Sequence, residues 1–261
     1  MPPNCNKNKR LNNNAIVNFP STYRSIKLEH TPSTNSYASN YILKHNFDQA
    51  HVFHTNVQTE GRARNGKSWI SEPHKNLLFS LVVNFEFPLE KRFYISKAVA
   101  LGLKDYLDSL SVQEVKIKWP NDILVRNEKI AGILIENSIA GDQIQTAIIG
   151  VGLNVNQFSF PEFERKATSL FKVTELILDF EEVLDDVVQS ILHRLNQLSE
   201  VDTIDHDYHN ALYGKGKRMN FDHKGENFSA TIEKVDVDGL LWLRSPSGTL
   251  AYDLNSLVFK D

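Results

Sequence analysis

The chain has two textures of apolar and polar positions. In the first, strand-like and helix-like periods alternate. Tyr23–Glu29 predicts a strand. "STNSYASNYILKH" places Ser33, Thr34 or Asn35 to cap a helix running to about Lys44, because short polar side chains accept from the free N–H groups of a first helical turn. Val52–Gln58 predicts another strand, and the apolar, β-branched "NLLFSLVVNF" a buried one. Lys91–Leu110 has the 3.6-residue period of a long amphipathic helix. "VKIKW" alternates as a half-buried strand and stops at the turn signal Pro120-Asn121-Asp122. A hairpin is expected around Arg126-Asn127-Glu128, a strand broken by Gly150 and Gly152 in "QTAIIGVGLNVN", and a helix over Phe180–Leu198. Past His209 the texture changes to short strands split by turn residues, the pattern of a small barrel. The boundary falls near Asp207–Leu212. It divides the chain into a first domain over 23–208 and a second over 209–261, after an Asn-rich, polar segment over 1–22 that reads as a poorly ordered tail. Leu241, Trp242 and Leu243 in a row predict that the second domain packs an apolar face on the first.

Composition narrows the class. The 261 residues are 41% apolar and 23% charged, ordinary for a soluble globular protein, and the net charge of −3 gives no global field for nucleic acid. Cys5 is the only cysteine, which excludes an intrachain disulfide and suits a reducing cytoplasm. No apolar run reaches transmembrane length, and the first residues lack the apolar core of a signal peptide.

Four segments carry candidate chemistry. "GRARNGKS" (61–68) fits the phosphate-loop pattern letter for letter, but that reading requires a helix immediately after it, and Pro73 stands in the way. The same loop, with Arg62, Arg64 and Lys67 among small residues, reads either as a solvated basic loop or as a flap closing on an anion; Trp69 at its end is a core anchor or a stacking platform. "KWPND" (118–122) sets Lys118 and Asp122 across a proline turn, where both project at one ligand or merely form an ordinary turn. "KIAGILIE" (129–136) puts Lys129 in an apolar strand with Gly132, which admits a close approach of ligand or backbone. "GVGLNVN" (150–156) is a weak nucleotide signal, since no helix follows it.

In this order the four segments resemble the biotin protein ligases. That family's loop is usually GRGRRG-x-x-W, against GRARNGKSW here; KWPND is intact, and Ser33–Asn35 and Gln58 also match. The likeness covers about residues 23–261. It implies an α+β fold: a mixed sheet with flanking helices, like the cores of class II aminoacyl-tRNA synthetases, and a small C-terminal SH3-like barrel. It further implies activation of biotin by ATP to biotinyl-adenylate, then transfer to a lysine of a biotin carboxyl carrier protein domain, in the cytoplasm.

By resemblance, Ser33, Thr34, Asn35, Gln58, Gly61, Arg62, Lys129 and Gly132 hold biotin. Arg64, Lys67, Trp69, Lys118 and Asn154 serve ATP. Arg64, Lys118, Asp122 and Lys129 carry the catalysis, and Mg²⁺ enters with ATP, with Asp122 as its candidate ligand. Two departures stand in the loop: Ala63 for the usual Gly, expected to narrow backbone freedom, and Asn65 for an Arg, which removes a charge. Only about 22 residues precede the first strand, too few for the helix-turn-helix that some members carry, so DNA is not expected as a partner, and without a long apolar run neither is a membrane. Homodimerisation is left open. The rival readings are a lipoate or octanoate ligase or transferase of the same fold, and a non-enzymatic P-loop-like nucleotide-binding module.

Overall fold

A computed structural model describes Phe19 and residues 22–260. The tail expected over 1–22, with Cys5, otherwise lies outside the described residues. The elements run β1 (Tyr23–Lys27), α1 (Thr34–Ile42), β2 (Ala50–Thr55), β3 (Asn76–Pro88), α2 (Phe93–Ser109), β4 (Val115–Lys118), β5 (Asp122–Val125), β6 (Glu128–Ala140), β7 (Gln143–Asn154), α3 (Leu170–Thr174), α4 (Phe180–Asn196) and α5 (Val201–Ala211). Five short strands follow: β8 (Arg218–His223), β9 (Glu226–Val235), β10 (Leu241–Ser245), β11 (Gly248–Tyr252) and β12 (Leu257–Lys260). Helices α3 and α5 were not anticipated. The first is five residues long, and the second straddles the expected domain boundary with a strongly polar sequence.

The first sheet is mixed and seven-stranded, in the order β1-β2-β3-β7-β6-β5-β4. Only β1 and β2 pair in parallel; the remaining ladders are antiparallel. The turn between β5 and β6 is the two residues Arg126 and Asn127, both at positive φ (48° and 69°), the twist that suits a tight hairpin.

Strand alternation sends neighbouring side chains to opposite faces. Val52, Leu81 and Ile149 join the large core beneath α2 and α4, whereas Phe53, Val82 and Ile148 pack with Ala38 of α1 on the other face. Both faces of the central strands are therefore covered, which accounts for their nearly continuous apolar runs. Ser33 caps α1, accepting from the Ser36 N–H at 3.4 Å.

The second sheet is antiparallel, in the order β11-β10-β9-β8-β12, and SH3-like. Its apolar side chains Phe221, Leu241 and Leu243 belong to the same core as α2 and the first sheet, whereas Trp242, between the two leucines, lies outside that core and donates to Asp236 at 2.7 Å. Polar contacts cross the junction. The Trp119 indole donates to Gly239 O at 2.9 Å. Lys97 of α2, wholly buried, donates to Asp205 at 2.5 Å and to Val235 O at 3.0 Å, and the Val235 N–H donates to His209 Nε2 at 2.9 Å. The rings of Phe93, Tyr94 and Tyr208 surround the ammonium.

Burial alone would raise the Asp205 carboxyl, but hydrogen bonds from His209 and Lys97 hold it at about 2. A carboxylate depressed in the folded state adds stability above its unfolded value, near 4, and loses it as pH falls through 2. Asp205→Asn strands a buried ammonium. With Asp205 itself 37% exposed, the loss expected at pH 7 is discounted to about 2 kcal/mol. Guanidinium unfolding should show that deficit at neutral pH and show it closing between about pH 4 and pH 2.

Candidate functional site

The Gly61–Trp69 loop folds back on itself. Arg62 and Ser68 form an antiparallel bridge, the Ala63 N–H donates to Lys67 O at 2.8 Å, and the Trp69 N–H to Gly61 O at 2.8 Å. Its tip is one 3₁₀ turn, Arg64–Gly66, with Asn65 in the left-handed region (φ 55°, ψ 35°). Asparagine tolerates that conformation better than most residues, so the exchange that costs a charge suits the tip. Ala63 is extended (φ −129°, ψ −179°), a conformation open to any residue, so the expected narrowing of backbone freedom at this position has no effect here. No helix opens after the loop, which overturns the phosphate-loop reading.

The loop lies over two adjoining cavities. The smaller, of about 40 Å³, sits on the face of the first sheet that carries α1, beyond that helix's N-terminus. Ser33, Thr34, Asn35, Gln58, Arg62 and Gly132 line it. Its floor is cut by glycines: a Cβ at Gly132 would stand 2.7 Å from the Trp69 ring, and one at Gly152 2.4 Å. The close approach foreseen for Gly132 is therefore made by Trp69, whose indole N–H is buried without a partner among the described residues.

The polar groups around this cavity are oriented. The Thr34 N–H donates to Gln58 Oε1 at 2.9 Å, and Asn35 donates to Leu134 O and Glu136 while accepting from Ser80. Arg62 pairs with Glu136 and donates to Ser36 Oγ at 3.2 Å. Gly61 lines neither cavity. It lies beneath the Trp69 carbonyl, where a Cβ would come within 2.4 Å, so its place is set by loop closure rather than by the cavity.

The larger cavity, about 490 Å³, lies within the range of nucleotide-sized sites. Arg64, Lys67, Lys118, Asp122 and Asn154 line it, and Leu257 and Phe259 of β12 close one side. Four residues, Ala63, Trp69, Asn121 and Lys129, line both cavities.

Lys129 owes its position to a bulge in β6, between the partners of Ile123 and Leu124; bulges re-aim side chains. Its N–H donates to Lys166 O at 2.8 Å and its carbonyl accepts from the Thr168 N–H at 2.9 Å, while Asn154 donates to Thr168 O at 2.9 Å. The ammonium pairs with Asp122 at 2.6 Å and stands 5.3 Å from the Trp69 ring centroid. Burial pulls Lys118 down to about 8, against the opposing pull of Asp122. Burial also lowers Arg64, which reaches Asn255 at 3.4 Å.

Apart from Gly61, the structure thus divides the expected residues between two adjoining chambers. It also brings in residues to which the sequence reading gave no role in the site, among them Asn121, Glu136, Phe160, Phe163, Glu164 and Phe259. Asn121 stood inside KWPND and Glu136 at the end of KIAGILIE, so both were within reach of motif reading. Phe160 and Phe163 lie in a loop with no periodic signal.

Among the described residues no cluster of three or more His, Cys, Asp or Glu side chains is arranged to hold a metal ion by itself. Mg²⁺ characteristically keeps waters and uses one or two carboxylates plus substrate phosphates. Asp122 and Glu164, both on the larger cavity, fit an ion that arrives with a nucleotide.

The sequence model described as "Biotin/lipoate A/B protein ligase family" matches residues 28–154. The "Bifunctional ligase/repressor BirA" of Bacillus spizizenii is 30% identical over 159 residues, 60% of this chain and 49% of that protein. The "Biotin--[acetyl-CoA-carboxylase] ligase" of Mycobacterium tuberculosis is 27% identical over 207 residues, 77% of this chain and 76% of its own length. This chain spans about half the length of the Bacillus relatives it matches. In fold it resembles the Aquifex aeolicus biotin protein ligase solved with biotin and ATP, with TM-score 0.73 and 24% identity over 91% of this chain and 99% of that one.

The glycine floor generates a direct test. Gly152 has ordinary strand geometry, so Gly152→Ala should fold, but its methyl would meet the indole at 2.4 Å and displace a loop side chain. The Trp69 contribution to fluorescence, isolated by comparison with Trp69→Phe, should shift to the red and become more accessible to acrylamide. Unchanged emission would place the indole elsewhere.

Proposed function

We propose, from the match of residues 28–154 to the model of the Biotin/lipoate A/B protein ligase family, that the chain joins biotin to ATP as biotinyl-adenylate and then transfers the biotinyl group to a lysine of a biotin carboxyl carrier protein domain. The observation that carries this reading is Lys129, a cation on the wall shared by two chambers. The reaction joins two anions, the biotin carboxylate and the ATP α-phosphate, which repel one another until positive charge is placed between them. Ser33, Thr34, Asn35, Gln58, Arg62 and Gly132 hold biotin in the small chamber, with Trp69 as its movable wall. Arg64, Lys67, Lys118 and Asn154 face the nucleotide, and Trp69 borders the adenine.

In the first step a carboxylate oxygen attacks the α-phosphorus and pyrophosphate departs with its bonding electrons. Lys129 and Arg64 offset the charge that develops. Asp122 and Glu164, both on the larger cavity, would hold a Mg²⁺ arriving with the nucleotide, and that ion would supply further neutralisation. In the second step the neutral amine of the carrier lysine attacks the acyl carbon, AMP leaves, and Asp122 takes the amine's proton. No enzyme nucleophile is required. The flap keeps water from the mixed anhydride. A cytoplasmic setting suits both the lone cysteine and the substrates.

Pyrophosphate release that requires biotin supports this function; release driven by lipoate instead, or no release, defeats it. Lys129→Ala should lower the biotin-dependent rate on the order of 100-fold or more while circular dichroism stays that of the parent. Arg64→Ala should loosen the flap, so that biotinyl-adenylate escapes and labels bystander lysines. Serum albumin incubated with this variant, biotin and ATP is then biotinylated more than with the parent, and equal labelling would remove Arg64 from containment.

A further inference from the structure

Lys118 ends β4 at the edge of the first sheet, with its ammonium in the larger cavity. Lys129 has Asp122 at 2.6 Å. Lys118, by contrast, has neither a hydrogen-bond nor an ion-pair partner for its Nζ among the described residues. What it has is a ring: Nζ lies 4.3 Å from the centroid of Phe259. That ring comes from the other sheet, more than a hundred residues along the chain. Strand β12 alternates, with Leu257 and Phe259 each 8% exposed and Val258 44% exposed, so Phe259 faces inward. It is clamped there by Phe221 at 5.0 Å and by Trp119 at 6.5 Å, centroid to centroid. Trp119 follows Lys118 directly, and its indole is tied to Gly239 O. Lysine and ring are therefore each held by the junction between the sheets.

We propose that Phe259 is a positioning residue for Lys118: its ring seats the ammonium in the nucleotide cavity and keeps water from one side of it, so the last strand of the second sheet completes the phosphate-facing part of the site. The inference rests on the nucleotide reading of that cavity given above. A half-buried ammonium with an aromatic wall and no carboxylate paired to it is a cation left available to an incoming anion, because the ring supports positive charge without neutralising it. The other charged groups around Lys118 are Asp122 on β5, Lys129 on β6, and Glu164 and Arg165 from the segment between β7 and α3, with Arg64, Lys67 and Lys260 on the same cavity. Burial is the largest influence on Lys118, and Phe259 supplies the apolar surface in contact with its ammonium.

Three variants separate ring from bulk. Phe259→Ala opens the wall to water. Phe259→Leu keeps apolar volume without a π face and at small cost to the fold. Phe259→Tyr keeps the ring. The charge state of Lys118 is read by ¹³C NMR on the reductively dimethylated full-length protein, with the resonance assigned by its loss in Lys118→Arg. Lys118 should titrate near 8 in the parent, as burial dictates, and about one unit higher or more in Phe259→Ala as solvation returns. In Phe259→Leu the low titration point should persist, yet the KM for ATP should rise about tenfold while the KM for biotin is unchanged. Phe259→Tyr should restore parental behaviour in both readouts.

A Phe259→Ala protein whose Lys118 titrates as in the parent overturns the proposal, as does a Phe259→Leu protein with the parent's KM for ATP. The NMR titration does not depend on turnover. If the parent released no pyrophosphate with biotin, the ligase reading would fail while the link between Phe259 and Lys118 would still be decided.

Discussion

A lysine held between two chambers is the constraint around which this molecule is arranged. An ammonium in an apolar strand is costly unless it is paired and partly wet. Lys129 meets that cost with Asp122 at 2.6 Å and with the Trp69 face. Its direction follows from a bulge in β6, and both its backbone N–H and its carbonyl are bonded by the segment that crosses at Lys166 and Thr168. The Asp122 carboxylate reaches it because the Pro120 turn returns β5 alongside β4, pairing Asp122 with Lys118 and with Gly132. Strand pairing thus brings KWPND and KIAGILIE into a single site.

The second sheet belongs to the same arrangement. Its side chains share the core of the first sheet, and its last strand walls the larger cavity. The Lys97–Asp205–His209 group is a polar knot inside that interface, satisfied on the second-sheet side by the Val235 backbone. A partly buried knot of this kind fixes register where apolar packing alone would tolerate sliding. The register matters here because Phe259 and Asn255 must meet Lys118 and Arg64 across the gap.

The flap shows how a sequence pattern and a structure can part company. GRARNGKS satisfies the phosphate-loop spelling, yet the chain turns back through the Arg62–Ser68 bridge and delivers Trp69 to the glycine floor. A phosphate loop works because a helix N-terminus gathers its N–H groups. In this loop the N–H groups of Ala63, Lys67 and Trp69 are already donated to the loop's own carbonyls, so positive charge comes from side chains.

Local order was legible in the sequence because it rests on neighbours a few positions apart. Continuous apolar, β-branched runs marked the central strands and two-residue alternation marked β4, the 3.6-residue period marked α2, the cluster Ser33, Thr34 and Asn35 marked the start of α1, and Arg126-Asn127-Glu128 marked a hairpin. The ordered set of loop, KWPND, KIAGILIE and GVGLNVN indicated which residues would converge, though not how. Ala63 illustrates the limit: a glycine-to-alanine exchange reads as a loss of freedom until its extended φ shows that none was needed. Tertiary structure alone decided the rest. The glycines of β6 and β7 admit an indole from a loop more than sixty residues earlier, Arg62 faces Glu136, and Phe259 lies against Lys118. Such contacts join positions whose separation along the chain carries no period, so no local pattern encodes them; they exist only once the two sheets have docked.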